Sequence, residues 1–287
     1  MFFAFFVVNK NNLLYILMKT SNRIIFLAIV CCIFIIFQAY AYLARRRKLN
    51  ALRKKAELGD AEAQFLLGNA YACGSLGLAK NEAQKAEWYR KAAEQGYARA
   101  QFDLGVIYEH GLGLAKNDAE ALKWYRKAAE QGNADAQNNL GLMYSKGQGV
   151  AKDDIEAVKW YRKAAQQGNA LAQSNLGIRY ANGQGVAKDE TEAVKWFRKA
   201  AEQGNTLAQL NLGIMYSLGQ GVAKAMEETA TWWGKAAEQG NADAQTYLGI
   251  MYLLGDGVPR NKRKARFWLN KGAAQGNANA AAALKSL

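Results

Sequence analysis

The sequence predicts an all-α chain, a linear solenoid of six 36-residue helix pairs with half-repeat caps, preceded by an N-terminal transmembrane helix. Three observations carry this. Trp88, Trp124, Trp160, Trp196, Trp232 and Trp268 recur every 36 residues, and Gly96, Gly132, Gly168, Gly204, Gly240 and Gly276 keep the same step. A 51% hydrophobic composition with a single proline suits an ordered helical chain. Residues 24–43 are twenty in number with Gln38 as the one strongly polar member, about 30 Å of helix and enough to cross a hydrocarbon core.

Taken in order, residues 1–23 are an N-terminal tail in which Met18 is an alternative start, and residues 24–43 are a transmembrane helix or signal anchor. Two readings compete for the apolar segment. Ala39-Tyr40-Ala41 has the small residues of a signal-peptide cleavage site, and cutting there would leave the repeats periplasmic or secreted. The flanks argue for an uncleaved anchor with a cytoplasmic repeat domain. Arg45, Arg46, Arg47, Lys48, Arg53, Lys54 and Lys55 follow the segment, against Lys10, Lys19 and Arg23 before it. Residues 45–58 align with the second helix of a repeat, and 44–58 read as a basic juxtamembrane capping helix, with the solenoid proper at 59–287.

Residues 132–167 are the clearest copy of the unit. Asn133 stands where an N-cap belongs, and Ala136, Leu140, Met143 and Tyr144 give helix A its apolar face. Gly147 and Gly149 break that helix. Asp153 or Asp154 caps helix B, whose apolar face is Ala157, Trp160, Tyr161, Ala164 and Ala165. A glycine in mid-helix costs about 1 kcal/mol against alanine. Its recurrence at Gly68, Gly105, Gly141, Gly177, Gly213 and Gly249 therefore predicts a close helix approach. The expected partners are the small pairs Ala128-Ala129, Ala164-Ala165 and Ala200-Ala201. Lys85, Thr229 and Trp233 depart from the pattern, so the first and fifth repeats are expected to pack differently. Residues 277–287 supply a lone alanine-rich helix A as the C-terminal cap.

The formal charge of +14 is unevenly placed. Residues 1–56 hold ten basic residues and no acid, leaving 28 basic and 24 acidic beyond them. A near-balanced repeat body argues against nucleic-acid binding. Cys31 and Cys32 lie in the apolar run and Cys73 is alone among the repeats, so no disulfide framework is available. The single histidine, His110, is read as a solvated loop side chain, and one histidine with one body cysteine builds neither a metal site nor a triad. Ser75, Ser145, Ser174 and Ser217 lack a lysine three residues on, and the glycine-rich loops lack the G-K-[ST] of a phosphate loop. No cofactor is expected.

The string A-x-A-Q-x-x-L-G-x-x-Y, then G-x-G-V, then E-A-x-x-W-Y-x-K-A-A-x-x-G, resembles the Sel-one-like repeat (SLR) family, relatives of the tetratricopeptide repeat. In the third repeat it is carried by Ala134, Ala136, Gln137, Leu140, Gly141, Tyr144, Gly147, Gly149, Ala157, Trp160, Ala164, Ala165 and Gly168. The resemblance implies a right-handed α/α superhelix with helix A lining the concave side, serving as an adaptor that holds a protein or peptide. It also implies two alternatives, an exported protein acting in the envelope or on host components and, remotely, a β-lactam hydrolase. The latter is known among cysteine-rich members, whose paired cysteines this chain lacks.

In a solenoid, binding resides where copies differ on a shared face. Removing the packing positions of helix A leaves Phe65, Phe102, Asn138, Ser174, Leu210 and Thr246, and beside them Leu66, Asp103, Asn139, Asn175, Asn211 and Tyr247. From these, Phe102, Asp103, Asn138, Asn139, Asn175, Leu210, Asn211 and Tyr247 are taken as the candidate partner-binding face. Amides suit an extended peptide backbone because they both donate and accept. The competing account is that the asparagines bond a neighbouring helix or water. Residues 261–266, Asn-Lys-Arg-Lys-Ala-Arg, form a second candidate, a basic loop for anionic lipid or an acidic partner, against the plainer account of a solvated helix start.

Overall fold

The computed structural model describes residues 23–287, with side chains described from Ile29 onward. The tail calls on Met18, Lys10 and Lys19 lie outside the described residues. Fourteen helices and no strands are present among the described residues. The chain divides into two compact units, Met1–Ala92 and Ala93–Leu287.

The described part of the first unit holds α1 (Arg23–Glu57), α2 (Ala61–Cys73) and most of α3 (Glu82–Glu94). The apolar segment and the basic segment that follows it are one helix of 35 residues, because no proline or glycine interrupts them before Gly59. The two ends of α1 differ. Ile33, Phe34, Ile35, Ile36 and Phe37 are exposed, whereas Leu49 and Ala56 are buried against Ala63 and Leu67 of α2. Exposed apolar surface is compatible with a membrane anchor or a signal sequence. Ala56 carries the same bond that helix B makes elsewhere, its carbonyl accepting Gln64 Nε2 at 3.0 Å. Asp60 caps α2, and the Tyr89 ring of α3 stacks on Phe65 at 5.1 Å.

In the second unit, helix A elements alternate with helix B elements. The A helices are α4 (Ala98–His110), α6 (Ala134–Lys146), α8 (Ala170–Asn182), α10 (Thr206–Leu218) and α12 (Ala242–Leu254). The B helices are α5 (Asp118–Glu130), α7 (Asp154–Gln166), α9 (Glu190–Glu202), α11 (Met226–Glu238) and α13 (Lys262–Ala274), and α14 (Ala278–Leu284) closes the array. Each A helix from α6 onward begins at an asparagine whose side chain accepts the backbone N–H three residues on, as Asn133 does from Ala136 at 2.8 Å. For helix B the cap of α7 is Asp153 and not Asp154. Ala225 leaves α11 with no side-chain cap.

The mid-helix glycines do permit a close approach, but against a different partner from the one expected. A Cβ on Gly141 would stand 2.8 Å from Tyr161 Cδ1, and one on Gly105 would stand 2.6 Å from Tyr125 Cδ1. In five of the pairs an aromatic ring of helix B covers the glycine of its own helix A, and in the last Leu269 covers Gly249. The alanine pairs serve the other seam: Ala164 and Ala165 cluster with Ala172 and Leu176 of the next repeat. A large residue therefore fills the contact within a pair, and small residues set the spacing between pairs. The loop glycine Gly149 belongs to that second seam, where a Cβ would meet Asp118 O at 2.5 Å.

The fifth repeat is accommodated locally. Thr229, fully buried, donates to Ala225 O at 2.9 Å, and Trp233 Nε1 donates to Leu210 O at 3.1 Å. The ring on the glycine also co-varies with a partner on helix A. Tyr125 donates to Glu109 Oε2 at 2.6 Å and Tyr161 to Ser145 Oγ at 3.4 Å, whereas Phe197 has no hydroxyl and the matching position is Ala181. Burying a hydroxyl without its acceptor costs about 1–3 kcal/mol. Phe197→Tyr is thus expected to lower stability by about that amount, and Ala181→Glu in the same chain to recover most of it. Urea denaturation of both variants measures the difference.

Candidate interaction face

The inner layer of the A helices is largely buried. Asn138 is 5% exposed, Leu210 7% and Thr246 1%, and Phe102 is half-buried with its ring 5.8 Å from that of Tyr125. Among the sequence candidates, Asn138 and Leu210 therefore lie beneath the surface and Leu210 lends its carbonyl to Trp233. The outer layer Asp103, Asn139, Asn175, Asn211 and Tyr247 is half-exposed, one residue per repeat, because it follows the buried position by one helical step.

These positions are not alike in their bonding. Asn175 Nδ2 donates to Asn138 Oδ1 at 3.0 Å across the repeat boundary, and Asn138 Nδ2 donates to Asn139 Oδ1 at 3.3 Å. Asn139 also meets the Tyr125 hydroxyl, whose pKa is pushed well up by burial and then by Glu109. The three amides form a string running from α8 to α6. Asn211 makes no side-chain hydrogen bond among the described residues. Tyr247 lies over Trp233, ring centroids 4.8 Å apart.

Around Tyr247 the face becomes apolar. Met226, Trp233, Ile250, Met251, Leu254 and Asp256 join it in lining a hollow of about 200 Å³. Sequence reading did not single out Ile250 or Leu254. Their signal was present: Leu218 and Leu254 end their A helices where His110, Lys146 and Asn182 end the earlier ones, and both leucines are exposed. Arg179 was also missed. It stands where other copies have Ile107, Met143, Met215 or Met251, and it pairs with Asp154 of the preceding B helix at 3.1 Å.

Residues 262–266 are not a loop. Asn261 is the N-cap and the basic residues form the first turns of α13. His110 likewise closes α4 and is exposed. Of the serines, Ser145 and Ser217 donate back to Leu142 O and Ile214 O of their own helices, and Ser174 Oγ is buried with no partner. No group of three or more His, Cys, Asp or Glu able to hold a metal occurs among the described residues.

A frame of helix pairs repeated in register, with half-exposed positions that differ from copy to copy, defines a helical-repeat scaffold. The chain belongs to the Sel1 repeat family, whose profile matches residues 61–97, 98–133, 134–169, 170–205, 206–241 and 242–277. Proteins of this family generally mediate protein–protein interaction. A protective antigen present in uropathogenic Escherichia coli strains and displaying an SLR fold is similar at 43% identity and a TM-score of 0.77, over 81% of this chain and 50% of that one. The chain thus spans about half the length of that structure. A Sel1 repeat protein from Oxalobacter formigenes is similar at 38% identity and a TM-score of 0.72, over 82% of this chain and 94% of the other. No curated protein matches the chain.

The asparagines differ in their structural duty, and stability separates them. Asn138→Ala leaves the Asn175 amide without its acceptor and is expected to cost about 1–2 kcal/mol, whereas Asn211→Ala is expected to stay within about 0.5 kcal/mol of the parent. Thermal or urea unfolding of the two variants reads the contrast.

Proposed function

We propose that the chain is a non-enzymatic, membrane-tethered scaffold that binds an extended segment of a partner protein along the concave helix-A face. The observation that carries this reading is the outer row itself. Asp103, Asn139, Asn175, Asn211 and Tyr247 stand one per repeat on helix A, all half-exposed, and pass from a carboxylate through three amides to a phenol on a frame that largely repeats. The string of amides offers donors and acceptors to a peptide backbone at its polar end, and the hollow at Tyr247 takes an apolar side chain at the other. Asn138 and Leu210 support this row from beneath. Helix α1 supplies the tether, with its exposed apolar residues in the bilayer and its basic residues holding the repeats on the cytoplasmic side.

A second reading is favoured by the similarity to the protective antigen of uropathogenic Escherichia coli, which would place the repeats outside the cytoplasm, acting on envelope or host components. A topology reporter fused after Leu287 separates the two. Nothing about the serines favours hydrolysis.

The binding face is tested by photo-crosslinking in native membranes. A photoreactive residue at Asn211 or Tyr247 is expected to capture one discrete partner, and the same probe at Lys159, exposed on helix B, is not. The triple variant Asn139→Ala, Asn175→Ala, Asn211→Ala is expected to weaken that partner's affinity by about tenfold or more while remaining helical. Full affinity in the folded triple variant sinks the proposal.

A further inference from the structure

The charge of the repeat body is not spread evenly. Between Glu57 and Asp256 there are 21 basic and 24 acidic residues, whereas residues 257–287 carry seven basic residues and no acid. The whole positive excess of the repeats is therefore gathered on the last helix pair and its cap. None of Arg260, Lys262, Arg263, Lys264, Arg266, Lys271 and Lys285 pairs with an Asp or Glu side chain among the described residues.

Helix α13 also reverses a rule that the other B helices keep. Helices α3, α5, α7, α9 and α11 each open with one or two acidic residues in the first turn, which suits the positive end of the helix dipole. Helix α13 opens instead with Lys262, Arg263 and Lys264. No Asp or Glu pairs with these three cations among the described residues: Lys262 Nζ donates to Leu287 O at 3.5 Å and Lys264 Nζ lies 5.1 Å from the Tyr252 ring of α12, an arrangement that leaves their placement at the helix start open to negative charge from outside the chain. The aromatic at its centre narrows the choice. Phe267 is 51% exposed, packs edge-on against Trp268 and lies beneath Lys271, whose Nζ is 4.6 Å from its ring. At 100° per residue, Lys262, Arg266, Arg263, Phe267 and Lys271 sweep one continuous arc of the helix.

We infer that this arc is a contact surface for an anionic lipid bilayer. A row of long, exposed basic side chains around one exposed phenyl ring matches a diffuse layer of headgroup phosphates with apolar chains just below it. It matches an acidic peptide less well, since that needs a groove and backbone partners. The shallow hollow of about 460 Å³ lined by Lys262, Arg263, Arg266, Phe267 and Asn270 is open and carries no acidic residue. The inference rests on the membrane attachment proposed above, and adds a second point of contact at the far end of the sequence from the tether.

The full-length chain carrying Phe267→p-benzoylphenylalanine is reconstituted with vesicles of phosphatidylcholine alone or with about 30% phosphatidylglycerol, then irradiated. Lipid adducts are expected to be about tenfold more abundant on the anionic vesicles, and to be lost when Lys262→Glu, Arg263→Glu and Arg266→Glu are added. Raising the salt to about 1 M in the unreversed chain is expected to remove the difference as well, which covers the case where charge reversal unfolds the helix. Equal adducts on both compositions, insensitivity to salt, or capture of an acidic protein in place of lipid in native membranes overturns the inference. Vesicle flotation in the same samples reports the tether separately. A chain that fails to float with phosphatidylcholine defeats the anchor reading, whatever the crosslinks show.

Discussion

The fold depends on a buried amide. Gln137 is 4% exposed, and its Nε2 donates to Ala129 O at 3.0 Å while its Oε1 accepts Gln167 Nε2 at 2.8 Å. It therefore ties the end of one repeat's B helix to the end of its own. Gln173, Gln209 and Gln245 repeat both bonds. An amide with two donors and an acceptor cannot be buried cheaply, and leaving one group unpaired costs about 1–3 kcal/mol. Each repeat satisfies the glutamine of its neighbour, so a repeat displaced along or around the stack would strand a polar group at every seam. Hydrophobic packing gives these helices a reason to stack, and the glutamines select one register.

That constraint explains how stacking and specificity are divided among residues. Tyrosine, phenylalanine, tryptophan or, in the last pair, leucine on the mid-helix glycine fixes the distance within a pair, the alanine pairs fix the distance between pairs, and the glutamines fix the register. Arg126, Arg162 and Arg198 add a rung to the next A helix by donating to Tyr144, Tyr180 and Tyr216. With the frame so determined, the position just beside the buried inner layer is free to differ from copy to copy. That variation is what makes it the proposed place for binding chemistry, although Asn139, Asn175 and Tyr247 also touch the frame.

The period, the division into helix pairs and the A-helix caps were legible in the sequence because each is a local matter of spacing, whereas the end of α4 at His110 and the start of α13 at Lys262 were read as loop. Asn133, Gly147 and Asp153 act as the pattern of one repeat says they should. What was not legible is which seam each small or large residue faces. The 36-residue step places Gly141, Tyr161 and Ala164 in every copy, yet intervals alone do not say that the ring and not the alanines covers the glycine. The same limit applies to the candidate face. Asn138 and Asn139 are adjacent in sequence and chemically identical, and only the direction of each Cβ sends one into the interior and leaves the other at the surface.

The glutamines show how a repeat can conceal a structural device as surface composition. Gln101, Gln137, Gln173, Gln209 and Gln245 look like polar positions of a solvated helix, and each follows an alanine that is plainly apolar. A second glutamine thirty residues on, at 131, 167, 203, 239 and 275, was the sign that the first had a partner. Two polar residues kept at one separation through five copies describe a bond more economically than they describe a surface. The asparagine row behaves otherwise. It is interrupted by Asp103 at one end and Tyr247 at the other, and a position required by the frame would not tolerate a carboxylate and a phenol in place of an amide. That tolerance separates the outer row from the glutamines, and it is the physical ground on which recognition is proposed for the first, while the glutamines serve the architecture.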